Sequence, residues 1–206
     1  MKVLLINGGP HKSGVTAEAL SEISATLEKE GIGAETIWLG NDPIAGCIGC
    51  GVCKKTGSCF RKDIVDIVSE RLEEFDGFIF ASPVHYAACS GALSSFMDRL
   101  FMSSAVKMYL KPAAAVVCCR RGGASAAFDE INKYFTMTCM PVISSQYWNQ
   151  VHGSNAEQAR QDQEGMQTMR TLASNMAYIL KCLEAGRNCG ILPPVKEEQI
   201  RTNFIR

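Results

Sequence analysis

Lys2-Val3-Leu4-Leu5-Ile6-Asn7, running into Gly8-Gly9-Pro10-His11-Lys12-Ser13-Gly14-Val15-Thr16, is the stretch that decides the fold. A short β-branched and leucine run that stops at Asn-Gly-Gly-Pro reads as a buried strand with its terminating turn. From Val15 to Gly31 the apolar residues Val15, Ala19, Leu20, Ile23 and Leu27 recur at three- and four-residue intervals, and Gly31 and Gly33 close the segment. The turn therefore feeds an amphipathic helix. Strand, glycine turn and helix make the first half of a βαβ unit.

The same alternation repeats outward along the chain. Ala34 to Leu39 reads as a second strand, and Asp63 to Leu72 as a helix capped by Asp63. Gly77 to Ala81 is a strand ended by Ser82-Pro83, followed by a helix from Ser90 to Phe101 and a strand from Ala113 to Cys119. A helix then runs from Gly122-Gly123 to Phe135, a fifth strand covers Pro141 to Ser145, and a long helix from Asn155 to Ala185 precedes an irregular tail. Strands that are apolar almost throughout, separated by helices, predict an α/β fold with a parallel sheet covered on both faces. Five such units predict a doubly wound, flavodoxin-like order, 2-1-3-4-5, in three α/β/α layers. The expected organisation is one domain over residues 1–206, with a cysteine-rich loop at 46–60 and a C-terminal helix and tail at 155–206.

Composition narrows the function. Lys plus Arg and Asp plus Glu are 21 each in 206 residues, so no excess positive field exists to attract nucleic acid or an anionic bilayer. The first apolar run, Val3 to Ile6, is too short for the core of a signal peptide. The longest apolar stretch, Ala113 to Cys119, falls far short of the roughly 20 residues that cross a bilayer. A cytoplasmic location without membrane or nucleic-acid partners is expected. In a reducing compartment, clustered cysteines point to metal or redox chemistry rather than to disulfides.

In a sheet of this order ligands bind beyond the carboxyl ends of the strands, which is where the unusual residues fall. Gly9-Pro10-His11-Lys12-Ser13-Gly14-Val15-Thr16 matches the nucleoside triphosphate loop except that Val15 occupies the lysine position. Without that lysine, the glycine backbone, the hydroxyls of Ser13 and Thr16 and a helix N-terminus suit one terminal phosphate better than a triphosphate. The other reading is a plain Gly-Pro turn that starts a helix.

Ser82-Pro83-Val84-His85-Tyr86 follows the third strand, and Phe96-Met97-Asp98-Arg99 lies in the next helix. With the opening loop and the intervening cysteines, these motifs resemble those of the flavodoxin-like NAD(P)H-dependent FMN reductases, particularly their iron–sulfur flavoprotein branch, over about residues 1 to 150. The resemblance implies that residues 9 to 16 bind the FMN phosphate and that Ser82 to Tyr86 edge the isoalloxazine ring. It further implies that Arg120, Arg121, Gly122 and Gly123 complete the pyrimidine side of the ring. It implies NAD(P)H as hydride donor, a small-molecule acceptor, and a homodimer or homotetramer whose neighbouring subunit completes the pocket. The chain departs from residues common in the family at Gly9, Val15 and His85. A non-enzymatic flavin-binding redox sensor is the alternative class.

Cys47-x2-Cys50-x2-Cys53-x5-Cys59 is dense, and Gly46, Gly49, Gly51 and Gly57 give its loop the freedom to turn several thiolates toward a common centre. It resembles the compact motif of iron–sulfur flavoproteins, which implies a [4Fe–4S] cluster. It differs from the bacterial ferredoxin run in its longer last spacing and in Phe60 after the last cysteine. Zinc and reduced, metal-free thiols remain as alternatives. Cys89, Cys118, Cys119, Cys139, Cys182 and Cys189 lack metal spacing and read as small core residues. Asp98-Arg99 reads as a structural charge pair at a helix end, Met97, Met102 and Met108 as gap fillers, and His152 with Tyr147-Trp148-Asn149 as packing or a pocket wall.

Overall fold

The structure, a computed structural model, describes residues 1–204. Its elements in order are β1 (Lys2–Asn7), α1 (Val15–Lys29), β2 (Gly33–Trp38), α2 (Val52–Thr56), α3 (Ile64–Arg71), β3 (Gly77–Pro83), α4 (Gly91–Ser104), β4 (Ala113–Cys119), α5 (Ala124–Met137), β5 (Gln150–His152), α6 (Ala156–Gln161) and α7 (Gln163–Asn188). All strand pairs are parallel and the order is β2-β1-β3-β4-β5, as the sequence predicts.

Alternate residues of the central strands feed opposite faces, and both faces are covered. Leu4, Ile6, Phe78, Phe80, Ala115 and Val117 share one core with Phe96, Leu100, Ile131 and Phe135 of α4 and α5. Val3, Leu5, Ile79, Ala114 and Val116 share the other with Leu20, Ile23 and Leu27 of α1 and Met169, Leu172 and Met176 of α7. Burial on both faces is why these strands show no polar alternation. Phe80 stacks at 5.6 Å from both Phe101 and Phe135, and burying each such ring contributes roughly 1.5–3 kcal/mol.

Two expectations are corrected. The fifth strand is not Pro141–Ser145. That segment makes one bridge, with Ile143 N donating to Ala113 O at 2.8 Å, and then leaves the sheet. The ladder resumes where Val117 N donates to Asn149 O and the buried Asn149 amide donates to Ala115 O, so the strand is Gln150–His152. The expected helix Asn155–Ala185 is two helices that part at Asp162, whose ψ of 81° leaves the helical region. The Asp162 carboxylate accepts from Gly165 N at 2.9 Å, capping α7, and from His152 N at 2.6 Å, tying that cap to β5. The short helix α2 inside the cysteine loop is an addition that the sequence reading lacked. No helix among the described residues is long and apolar enough to cross a membrane.

Candidate functional site

The loop after β1 is pinned from below. Gly8 N donates to Ala81 O, Ser90 Oγ donates to Gly8 O at 2.7 Å, Gly9 N donates to the buried Asn7 side chain at 2.9 Å, and Trp38 Nε1 donates to Gly9 O at 2.7 Å. A Cβ on Gly8 would sit 2.8 Å from Leu93 Cβ, so glycine is required there by close packing against α4. The α1 helix starts at Gly14 with no side-chain cap, whereas α3, α4, α6 and α7 are capped by Asp63, Ser90, Asn155 and Asp162. Its first amides therefore face a cavity with their donors and positive dipole end uncommitted to a side chain, which suits an anion.

That cavity holds about 600 Å³ and is lined by Gly9, Pro10, His11, Ser13, Gly14, Val15 and Thr16, by Pro83, Val84 and His85, and by Arg120. Three segments far apart in sequence thus meet over the ends of β1, β3 and β4. Lys12, Tyr86, Arg121, Gly122 and Gly123 are outside the lining; all but the half-buried Gly123 are exposed around it. Ser82 is buried beneath, accepting from Ser90 N at 2.8 Å and donating to Pro83 O, so it shapes the loop without reaching the cavity. Tyr86 and Ala87 have φ of 51° and 60° at the tip of a two-residue hairpin closed by His85 and Ala88, a conformation that usually needs Asn or Gly. Gly123, at φ 88°, lets this hairpin lie against α5, because its Cβ would meet Ala87 Cα at 2.9 Å.

The sequence reading missed several wall residues. Gly153, Ser154, Asn155 and Ala156 close the cavity, and Cys118 and Cys119, core residues as expected, also form its floor, whereas Cys139, Cys182 and Cys189 are exposed and not core. Burial pushes the Cys118 thiol up to about 12, with Thr16 hydrogen bonding working the other way, and burial also raises Cys119. Both are neutral thiols at physiological pH and are poor nucleophiles. His152 Nδ1 lies 3.5 Å from Cys119 Sγ. A second hollow of about 490 Å³ continues past Pro10 and His85 to residues 40–44 and the start of α4. The sole sequence signal for these walls was their place after β2 and β5.

A family model described as NADPH-dependent FMN reductase matches residues 1–155. The chain belongs to the NADPH-dependent FMN reductase family. An iron–sulfur flavoprotein of Methanocaldococcus jannaschii is 30% identical over 192 residues, covering 89% of this chain and 100% of the relative. An iron–sulfur flavoprotein of Methanosarcina thermophila is 24% identical over 192 residues, covering 91% and 100%. Among solved structures, RosB with a bound 8-demethyl-8-formylriboflavin-5′-phosphate intermediate superposes with a TM-score of 0.70 at 16% identity, over 99% of this chain and 92% of that one. An archaeal flavodoxin gives 0.60 at 16% identity over 88% and 99%. These likenesses establish a flavodoxin-like fold, in agreement with the strand order.

This member of the FMN reductase family carries a separate cavity, of about 120 Å³, lined by Cys47, Cys50, Cys53 and Cys59 together with Arg99 and Met102. The four cysteines line this one cavity, although among the described residues no group of three or more Cys, His, Asp or Glu is already arranged to hold a single metal ion. Gly49, Gly51 and Gly57 turn the loop through positive φ, and α2 carries Cys53. Four thiols around one cavity are a donor set that a cubane cluster can take, one cysteine on each iron. Asp98 and Arg99 lie inside α4 and not at its end; Asp98 accepts from the Tyr134 hydroxyl, and Arg99 pairs with Asp63. Burial works to raise the Asp63 carboxyl, but Arg99 and the backbone donors of α3 outweigh it and hold the carboxyl below its ordinary value. Met97 and Met108 are core, while Met102 is exposed beside the cysteine cavity.

Proposed function

We propose that the chain is an FMN-dependent oxidoreductase that uses NAD(P)H as donor and reduces a small-molecule acceptor. The observation that carries this reading is the uncapped α1 N-terminus opening into the same cavity as Pro83–His85 and Arg120. Bound there, FMN would supply the redox chemistry, hydride acceptance from a reduced nicotinamide and electron delivery to the acceptor, while the protein's residues hold it in place. In this reading the amides of Gly14, Val15 and Thr16, with the hydroxyls of Ser13 and Thr16, hold the phosphate. Pro83, Val84 and His85 would edge the ring, and the Arg120 guanidinium would stabilise the negative charge that develops on reduction. The neutral thiols of Cys118 and Cys119 add no opposing charge. Lys12, Arg121 and the exposed Tyr86 at the mouth are positioned for the incoming donor or for a neighbouring subunit of a homodimer or homotetramer. Anaerobic mixing with NADPH and NADH separately tests the donor: flavin absorbance is expected to bleach on a catalytic timescale with one of them, and no bleaching with either rejects the reading.

The cysteine cavity favours a second reading, in which a [4Fe–4S] cluster held by Cys47, Cys50, Cys53 and Cys59 relays electrons between an external carrier and FMN. The names of the two methanogen relatives support it. Anaerobically prepared protein is expected to contain iron and acid-labile sulfide, and absence of both removes this reading.

A further inference from the structure

Arg99 is only 2% exposed, although its helix α4 surrounds it with apolar Phe96, Met97 and Leu100. A buried guanidinium is costly unless its charge and donors are met. Here they are met almost wholly by the two ends of the cysteine loop. Nη1 donates to Asp63 and, at 3.4 Å, to Ala45 O; Nη2 donates to Asp63 Oδ1 at 3.0 Å, to Arg61 O at 3.4 Å and to Cys59 Sγ at 3.5 Å, while Nε has no partner. Ala45 precedes residues 46–60, and Arg61 and Asp63 follow them, so one planar fork closes the loop at its base and touches its last cysteine. A second tie from the same helix is weaker, Cys53 Sγ to Met102 O at 3.7 Å.

Resting on the cluster reading above, we infer that Arg99 is a positioning residue for the four-cysteine cavity: it fixes the spacing of the thiolates and sets a cation against Cys59. Lysine cannot replace it, because a single ammonium cannot bond the two ends of the loop and the sulfur at once. Asp63 serves twice, anchoring the fork and capping α3 by accepting from Val65 N at 3.0 Å. A cation hydrogen-bonded to a ligand sulfur would tune a group in the cavity beyond holding α3 to α4, since cluster potential follows net charge and hydrogen bonds to sulfur.

The test compares anaerobically prepared wild type, Arg99→Lys, Arg99→Gln and Asp63→Asn, with bound FMN as the measure of an intact fold. Chelator concentration that removes half of the iron is expected to fall roughly tenfold in all three variants. The midpoint potential, followed by electron paramagnetic resonance of the reduced cluster, is expected to fall in Arg99→Gln, to stay near wild type in Arg99→Lys, and to rise in Asp63→Asn, where the cation loses its counter-charge. Asn remains a good N-cap, so Asp63→Asn carries the test alone if Arg99→Gln fails to fold. Chelator resistance equal to wild type, or a potential unmoved in both Arg99→Gln and Asp63→Asn, overturns the assignment while leaving the cluster reading intact. Wild-type protein without iron and sulfide overturns the cluster reading and the assignment with it.

Discussion

The loops after β1 and β3 are tied to the strand ends by main-chain bonds and by the side chains of Asn7, Trp38 and Ser90, whereas the loop carrying Cys47, Cys50, Cys53 and Cys59 is held chiefly by one buried guanidinium and its carboxylate. The first region inherits its geometry from strand ends that the two cores fix. The second is an excursion whose glycines adopt left-handed conformations in open space. A site built on strand ends tolerates little change in backbone volume; a site built on a glycine loop tolerates volume but not loss of its anchor. The two regions should therefore fail separately under mutation.

The largest expected effect is at Gly123. Its φ of 88° and the 2.9 Å approach of a Cβ to Ala87 Cα mean that Gly123→Ala combines left-handed strain with a backbone clash. A loss of about 3 kcal/mol in denaturant unfolding is expected, with weaker FMN retention as the 83–88 hairpin shifts. Gly57→Ala should cost less, about 1 kcal/mol, because its φ of 78° is strained but nothing lies within 4 Å. On the cluster reading it should lower iron retention and leave FMN content unchanged; equal loss of iron and FMN would erase the distinction between the regions.

The smallest effect serves as a reference away from both. On β2, hydrogen bonds from Arg71 and then Lys2 lower the Glu35 carboxyl from 4.5 to about 2. A depressed carboxyl stabilises the fold above its unfolded value and loses that contribution as pH falls through the folded one. Glu35→Gln is thus expected to cost about 1 kcal/mol at neutral pH, a modest value for a partly exposed pair, with the difference from wild type shrinking between pH 4.5 and 2. A difference independent of pH in calorimetric unfolding would contradict the ion-pair origin.

Legibility in the sequence followed the strength of local pattern. The β1 run, its glycine turn and the heptad-like spacing of α1 were readable because burial on both faces makes the strand uniformly apolar and burial on one face makes the helix periodic. The β5 strand was misplaced because an edge strand of three residues with one fully buried side chain, Val151, is a weaker signal than Val142-Ile143, which flank the sheet for a single bridge. The break at Asp162 depends on its carboxylate meeting both Gly165 N and His152 N, a tertiary arrangement that no helical periodicity reports. Pro83–His85 and the 9–16 loop were readable as motifs, but Asn155, Cys118 and Cys119 in the wall were not, since only the sheet register brings them there. Arg99 was read with Asp98 as a structural charge arrangement at a helix end because its actual partner, Asp63, lies 36 residues earlier.

Affinity of flavin-free protein for FMN against riboflavin, measured by calorimetry, bears most directly on the site at the start of α1. Two charge-assisted hydrogen bonds to the phosphate predict that FMN binds at least on the order of 100-fold more tightly than riboflavin. Equal affinities, or no heat with FMN, would contradict a cradle that grips the flavin by its phosphate.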